Sequence, residues 1–469
     1  MKSRNISILG VCAALLLMFA VSSCSDDFLE IKNETAAEFD DFWSTPSDAQ
    51  EGLNSAYDVL TSGAFMGGNV QLLAEIMADN YAANPLTNNG DWAAHYTRTT
   101  DIFLGTTRGM IHDGYKVIAR ANYLMDNLDA IEGLSDEEAR RMVAEAKFLR
   151  ALSHFELVRM FAQPYGYTDD NTHLGIPIRL RYSKEIIDRS TVAEVYAQIL
   201  QDFNEALPDL PDQVANGYAT RDAALGYLAK VHFQMNEFDR AYDYANQVIS
   251  SGRYAVDTSL TGRFSTQVTS EAVFYLASSF VDNAGGGMFF TYRVDPNSGL
   301  AAIALDPGFA SILQQNDDRR GQTWVEQIDD FFWISGKIED TLTQNFTQVP
   351  LVHLTELKLI RAESAAEQET DLETAVMDLN DILNPAGLPE LATSATAGTI
   401  ITTARAERRK ELVIEGNRFH ELKRIAVLED PDLTIRGAPW DCAGMVCQFP
   451  DNELQGNPDF IPNPEGGCN

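Results

Sequence analysis

Residues 221–254 read RDAALGYLAKVHFQMNEFDRAYDYANQVISSGRY, and their apolar spacing decides the fold. Leu225, Leu228 and Ala229 recur at the three- and four-residue steps that put side chains on one face of a helix. Phe238, Ala241, Ala245 and Val248 repeat the rhythm for a second helix, and Asn236 falls in the turn between them. Small residues at a crossing let two helix axes approach, and larger ones fill the space beside them. The stretch therefore predicts a tightly packed helical hairpin.

That alternation of small and large residues is the one used by tetratricopeptide hairpins, which bury their apolar faces only by stacking on neighbours. A weaker copy runs over about 355–383 through Leu359, Ala362, Ala375, Leu379 and Ile382. A divergent one covers about 117–162. There Val117, Ala121, Leu124, Leu128 and Ile131 precede a capping box, Ser135-x-x-Glu138, and Ala144, Phe148, Ala151, Phe155, Val158 and Ala162 follow it. Pro164 and Gly166 end that helix. Two more amphipathic helices are expected. One carries Ala49, Leu53, Ala56 and Leu60 behind Ser44-Thr45-Pro46, with Gly63 as its stop; the other carries Val192, Tyr196, Ile199, Phe203 and Ala206. The fold class expected is mainly α, a tetratricopeptide-like helical-repeat superhelix with loop-rich insertions at about 63–110 and 252–350.

Within the second insertion, Ala272-Val273-Phe274-Tyr275-Leu276 reads as a short strand. Gly285-Gly286-Gly287 lacks phosphate-loop spacing and is read as a mobile turn that does not open a helix.

The N-terminus has the grammar of an export signal: basic Lys2 and Arg4, an apolar run from about Ile6 to Val21, then Ser22-Ser23-Cys24 and an acidic stretch. The run is too short to span a bilayer. Residues 1–23 are expected to be a lipoprotein signal peptide, Cys24 the lipidated first residue, and 24–469 a single domain. Several acyl chains on Cys24 would hold such a domain on a membrane without a helix.

A formal charge of −34 argues against nucleic acid and anionic head groups as partners and favours a solvated exterior. Beyond Cys12 and Cys24, only Cys442, Cys447 and Cys468 remain, so at most one pair forms among them. Cys447–Cys468 would staple the tail and Cys442–Cys447 would close a small loop; spacing does not choose. No histidine pair has metal-ligand spacing, and no cofactor or metal is expected.

The order of motifs along the chain resembles the SusD/RagB family of nutrient-binding outer-membrane lipoproteins. Phe42-Trp43-Ser44-Thr45 with Ala49 and Asn54-x-x-Tyr57 is similar to the family's opening helix. Residues 144–151, AEAKFLRA, continuing through Leu157-Val158-Arg159 to Pro164-Tyr165-Gly166, resemble its central helix. Glu356-Leu357-x-Leu359-Ile360-Arg361-Ala362-Glu363 resembles a later repeat helix. Residues 407–412, ERRKEL, with Glu415-Gly416-Asn417-Arg418-Phe419 and Leu422-Lys423-Arg424, match the C-terminal signature, and Asn457-Pro458 fits the ending. The three tail cysteines and His420, where the family pattern has Asp, depart from it.

The charged signature is read as a structural ion-pair lattice at the surface. Glu407, Glu411 and Glu415 stack at four-residue steps beside Arg408 and Arg409, and Arg418 is placed to reach the helix end. Asp317-Asp318-Arg319-Arg320 carries its own counter-charges. Neither cluster predicts catalysis, and the chain is not expected to be an enzyme; a hydrolase reading finds no supporting motif.

Binding remains. Sugar rings present apolar C–H faces and polar edges, so a receptor needs aromatic platforms flanked by amide, acid or guanidinium groups. Asp79, Asn80 and Tyr81, then Asn89, Trp92 and Tyr96, supply that chemistry in one insertion; Tyr292, Arg293 and Trp324 supply it in the other. The resemblance implies a cell-surface lipoprotein that binds oligosaccharide or polysaccharide and acts as the lid of a SusC-like TonB-dependent transporter, to which it delivers the glycan. It implies an outer-membrane location facing the exterior, and Ser25-Asp26-Asp27 resembles the acidic signal for that face. Peptide capture, as in some relatives, and a periplasmic protein-binding scaffold are the alternatives.

Overall fold

In a computed structural model the described residues are 43–83, 90–213, 217–284, 286–292, 302–338 and 346–468. Residues 1–23, expected to be a signal peptide, and Cys24 lie outside them.

Helix α1, Pro46–Leu60, begins where the sequence says it should. Thr45 Oγ1 accepts from the Asp48 amide at 3.3 Å while Asp48 Oδ2 accepts from the Thr45 amide at 2.8 Å, a reciprocal cap. Ala49, Leu53, Ala56 and Leu60 are all buried. Helix α2, Asn69–Met77, and α3, Gly90–Thr97, flank the two-residue strand β1, Tyr81–Ala82, and α4 runs Gly105–Asn127. The first insertion is thus more helical than its sequence suggests. The segment is enclosed: every residue from Val70 to Met77 is buried, Gln71 and Glu75 included, so α2 has no solvent-facing side.

The long α5, Asp136–Phe161, starts at the Ser135–Glu138 box and stops before Pro164, and α6 is Val192–Ala206. The hairpin of residues 221–254 is α7, Arg221–Gln234, and α8, Phe238–Ser250, with Asn236 at φ +60° in the turn. Next come β2, Ala272–Leu276, α9, Gly286–Tyr292, β3, Ala304–Leu305, α10, Pro307–Gln314, and α11, Arg319–Trp324. Strands β4, Glu326–Ile328, β5, Phe331–Trp333, and β6, Val349–His353, complete the second insertion. The last repeat pair is α12, Leu354–Glu367, and α13, Leu372–Leu383. Helices α14, Ala397–Glu411, and α15, Asn417–Leu428, the hairpin β7, Thr434–Ile435, with β8, Ala438–Pro439, and α16, Asp451–Gly456, finish the described chain.

The pairs α4–α5, α7–α8 and α12–α13 pack internally, and α8 packs on α12, so stacked hairpins form the superhelical frame. The insertions dock on it through sheets. Strands β2 and β6 pair antiparallel, and β1, β3, β5 and β4 form a four-stranded antiparallel sheet in that order.

Three expectations need correction. Gly286 and Gly287 open helix α9 instead of forming a mobile turn. A Cβ on Gly287 would stand 2.9 Å from the Gly67 carbonyl oxygen, so glycine serves close backbone contact there. The charged signature is not a surface lattice: Glu407, Arg408, Lys410 and Glu411 on α14 are all buried. The acids are met from the second insertion, with Arg320 and Arg263 each reaching Glu411 and Lys337 reaching Glu415, while Arg408 pairs with Glu356 on α12 and Glu421 on α15. Arg418 turns to Asp79 instead of the helix end. The disulfide joins Cys442 to Cys468, a pairing outside the two weighed from spacing, and leaves Cys447 as a buried thiol. The Cys447 amide donates to the Met160 carbonyl at 2.8 Å, which ties that segment to the end of α5.

Candidate functional site

The four-stranded sheet brings together the two stretches that sequence chemistry singled out. Tyr81 pairs with Leu305, Leu305 with Phe332, and Phe332 with Gln327, so these four line one face of the sheet. Phe332 from this row lies against the main core, and the Tyr81 ring is 6.1 Å from that of Tyr292.

Alternation along the strands sends Ala304, Trp333 and Glu326 to the opposite face. That face has a small apolar cluster of its own, Ala304 and Trp333 with Ile328 and Phe331 against them, separate from the main core. The rings of Phe331 and Trp333 lie 5.8 Å apart at 39°. Trp333 is enclosed, yet its indole Nε1–H meets no hydrogen-bond acceptor among the described residues. Burying such a donor without a partner costs about 1–3 kcal/mol. Phe331 is half-buried, and exposed Asp329 and Asp330 precede it, with Asp329 at φ +52° in the β4–β5 turn and exposed Glu326 on the same face. An aromatic face rimmed by carboxylate groups is a combination that grips a sugar ring.

The residues singled out from sequence divide into frame and rim. Asp79 takes a two-pronged ion pair from Arg418, Nε to Oδ1 at 2.8 Å and Nη2 to Oδ2 at 2.9 Å, and lies 3.2 Å from Arg409. Burial pushes its carboxyl up, but the two guanidinium groups outweigh burial and hold it below the usual range. Asn80 is fully buried and its Oδ1 accepts from Arg409 Nε at 2.9 Å. Tyr81, Tyr292 and Trp324 are core side chains, each no more than 1% exposed. Trp324 stands apart from the others, its Nε1–H donating to the Leu260 carbonyl at 2.7 Å. Trp92 and Tyr96 on α3 are half-buried. The Arg436 guanidinium sits 3.9 Å over the Tyr96 ring and donates to the Tyr96 carbonyl at 2.7 Å. Asn89 and Arg293 lie outside the described residues.

Sequence reasoning passed over Phe331 and Trp333. The signal was present, since Asp329-Asp330-Phe331-Phe332-Trp333 sets three aromatics directly after a two-residue acidic turn. Beneath this region Glu75 is fully buried, and its Oε1 accepts from the Gly416 amide at 3.0 Å. Burial pushes its carboxyl up to about 8. Among the described residues no group of three or more His, Cys, Asp or Glu side chains is placed to hold a metal ion.

Comparison with known proteins fits this geometry. A family model described as "Starch-binding associating with outer membrane" matches residues 27–233, and the SusD family model matches residues 334–458. The chain belongs to the SusD family. SusD-like protein P25 of Formosa agariphila is 25% identical over 266 residues, 55% of this chain and 48% of that protein. A SusD-like protein of Bacteroides ovatus is 27% identical over 234 residues, 50% of this chain and 39% of that protein. The chain thus spans about half the length, or less, of the curated SusD relatives it matches. Among solved structures, a SusD superfamily protein from Bacteroides thetaiotaomicron superposes with a TM-score of 0.78 at 24% identity, covering 90% of this chain and 100% of that one. A laminarin-binding SusD-like protein superposes with a TM-score of 0.72 at 20% identity, covering 90% and 100%. These superpositions place the helical frame and its insertions in the SusD fold.

Proposed function

We propose that this chain is a lipid-anchored, outer-membrane saccharide receptor that faces the cell exterior, without enzymatic activity of its own. Its partner would be a SusC-like TonB-dependent barrel, over which it acts as a lid and to which it hands oligosaccharide or polysaccharide. The observation that carries the reading is the second face of the β1–β3–β5–β4 sheet, where Phe331 and Trp333 form an aromatic cluster outside the core beside Glu326, Asp329 and Asp330. Partly exposed Trp92 and Tyr96 extend the candidate surface, while Asp79, Asn80, Tyr81, Tyr292 and Trp324 support it from within. The family's starch-binding description and a relative named for laminarin binding agree with a glycan as ligand. Anchoring through Cys24 is compatible with a chain in which, among the described residues, no helix is long and apolar enough to cross a membrane.

The test is a binding screen of neutral glycans and peptides by affinity electrophoresis and calorimetry, with Phe331→Ala and Trp92→Ala alongside. Loss of one aromatic platform is expected to weaken glycan binding by roughly 1–3 kcal/mol, the worth of burying such a side chain. Peptide binding in place of glycan binding, or glycan binding untouched by both variants, overturns the assignment.

A further inference from the structure

A cavity of about 310 Å³ opens well away in sequence from the aromatic sheet, between the first half of α4, the extended strap 171–190 and the C-terminal tail. Its volume reaches the lower end of the roughly 300–1,000 Å³ range of small-molecule sites. Tyr115, Phe449 and Phe460 supply an aromatic lining. The rings of Phe449 and Phe460 meet edge to face at 4.9 Å, and Tyr115 is fixed by donating its hydroxyl to the Pro177 carbonyl at 2.7 Å. The walls are equally fixed. Arg189 donates to the Gly175 carbonyl at 2.7 Å, to Leu174 at 2.9 Å and to Ile461 at 3.1 Å, tying strap to tail.

The charge of this cavity departs from that of the chain. Overall there are 35 basic and 69 acidic side chains. Yet the strap from Pro177 to Ser190 carries Arg179, Arg181, Lys184 and Arg189 against only Glu185 and Asp188. Arg179 and Lys184 line the cavity with His112, and among the described residues neither is in a salt bridge. Arg179 spends one N–H on the Glu185 carbonyl at 3.1 Å, which leaves most of its fork available. Glu185 and Glu453 are the acids of the lining.

We infer that this cavity is a second saccharide subsite, selective for a sugar unit bearing a carboxylate or a sulfate. Half-buried Tyr115 takes the apolar face of the ring, with enclosed Phe449 and Phe460 behind it, and Arg179 with Lys184 takes the anion. The inference rests on the saccharide-binding reading but uses none of the sheet residues.

Calorimetry on the purified protein tests it with trigalacturonate, a sulfated galactose trisaccharide and neutral maltotriose. The carboxylate and sulfate arms identify which anion the subsite prefers. At least one acidic ligand is expected to bind the native protein, and Arg179→Ala/Lys184→Ala to weaken it about tenfold or more. Lys184 is exposed, so Lys184→Ala alone keeps the test valid if the double variant unfolds; it should weaken the acidic ligand severalfold. Phe331→Ala should leave that ligand unchanged. Absence of binding by both acidic ligands, or binding undiminished in Lys184→Ala, overturns the subsite. Failure of Phe331→Ala to affect a neutral glycan would instead count against the sheet alone, so the two readings fail separately.

Discussion

Arg320 Nη1 and Glu411 Oε1 lie 2.7 Å apart with both side chains buried, Arg320 completely. The same guanidinium reaches Asp318 and Glu407 at 2.7 Å, so one cation serves three enclosed carboxylates drawn from α14 and the second insertion. Removing it leaves Asp318 and Glu407 to share Lys410 and leaves Glu411 to Arg263, so three buried acids are under-compensated in a low-dielectric setting. Arg320→Met is expected to destabilise the fold by about 3–5 kcal/mol, measured as a fall in the urea midpoint. An unchanged midpoint would mean that the carboxylates find other partners.

A pH effect with a defined sign follows from Glu75. Burial holds its folded-state carboxyl at about 8, whereas the ordinary value for the group is 4.5. Across that window the folded protein retains a proton that the unfolded chain has released. Stability therefore falls as pH rises from about 4.5 to about 8. Glu75→Gln removes the titrating group but keeps an acceptor for the Gly416 amide. The variant should gain stability relative to the native protein on going from pH 5 to about pH 8, read as paired urea midpoints. A difference that stays constant with pH would refute it.

What the sequence disclosed, and what it hid, follows from where periodic signals survive. Thr45, Ser135 and the α7–α8 alternation announced their helices, because amphipathic faces and caps are local features. Helix α2 and the aromatic row of β5 were not announced. The former is buried on all sides, and the latter is a three-residue strand whose partner β3 arrives from 27 residues earlier, Leu305 pairing with Phe332. Site candidates divided for a related reason. Tyr and Trp serve cores and platforms alike, and only packing separates enclosed Tyr81, Tyr292 and Trp324 from half-buried Trp92. The depth of the acids Glu407, Glu411 and Glu415 was invisible because their partners, Arg263, Arg320 and Lys337, are distant in sequence.

The tail offers a third test. Cys442–Cys468 closes a segment of 26 residues, and Cys447 is fully buried, with burial pushing its thiol up to about 12. Alkylation of the folded protein without reductant should spare all three tail cysteines, and unfolding should expose Cys447 alone among them, read by peptide mass spectrometry. Cys442→Ser should cost roughly 2–4 kcal/mol in stability. Labelling of Cys442 or Cys468 in the unreduced protein would contradict the pairing.

Asp79 and Phe331 should separate stability from binding. The Asp79 carboxylate is engaged by Arg418 at 2.8 and 2.9 Å, and Arg409 spans Asp79 and Asn80, so this acid locks the start of the sheet to α14 and α15. Asp79→Asn keeps the shape and removes the charge. It is expected to cost about 1–3 kcal/mol of stability, since it weakens charge-assisted hydrogen bonds, while leaving glycan affinity within about twofold. Phe331 is half-buried and belongs to the small cluster outside the core. Phe331→Ala should therefore lower glycan affinity with a smaller loss of stability than a fully enclosed Phe→Ala, which costs about 3–5 kcal/mol. Paired calorimetric and urea titrations decide the matter. If Asp79→Asn abolished glycan binding at unchanged stability, the carboxylate would be a ligand group and the site would lie at the α3 end of the sheet instead of on β5.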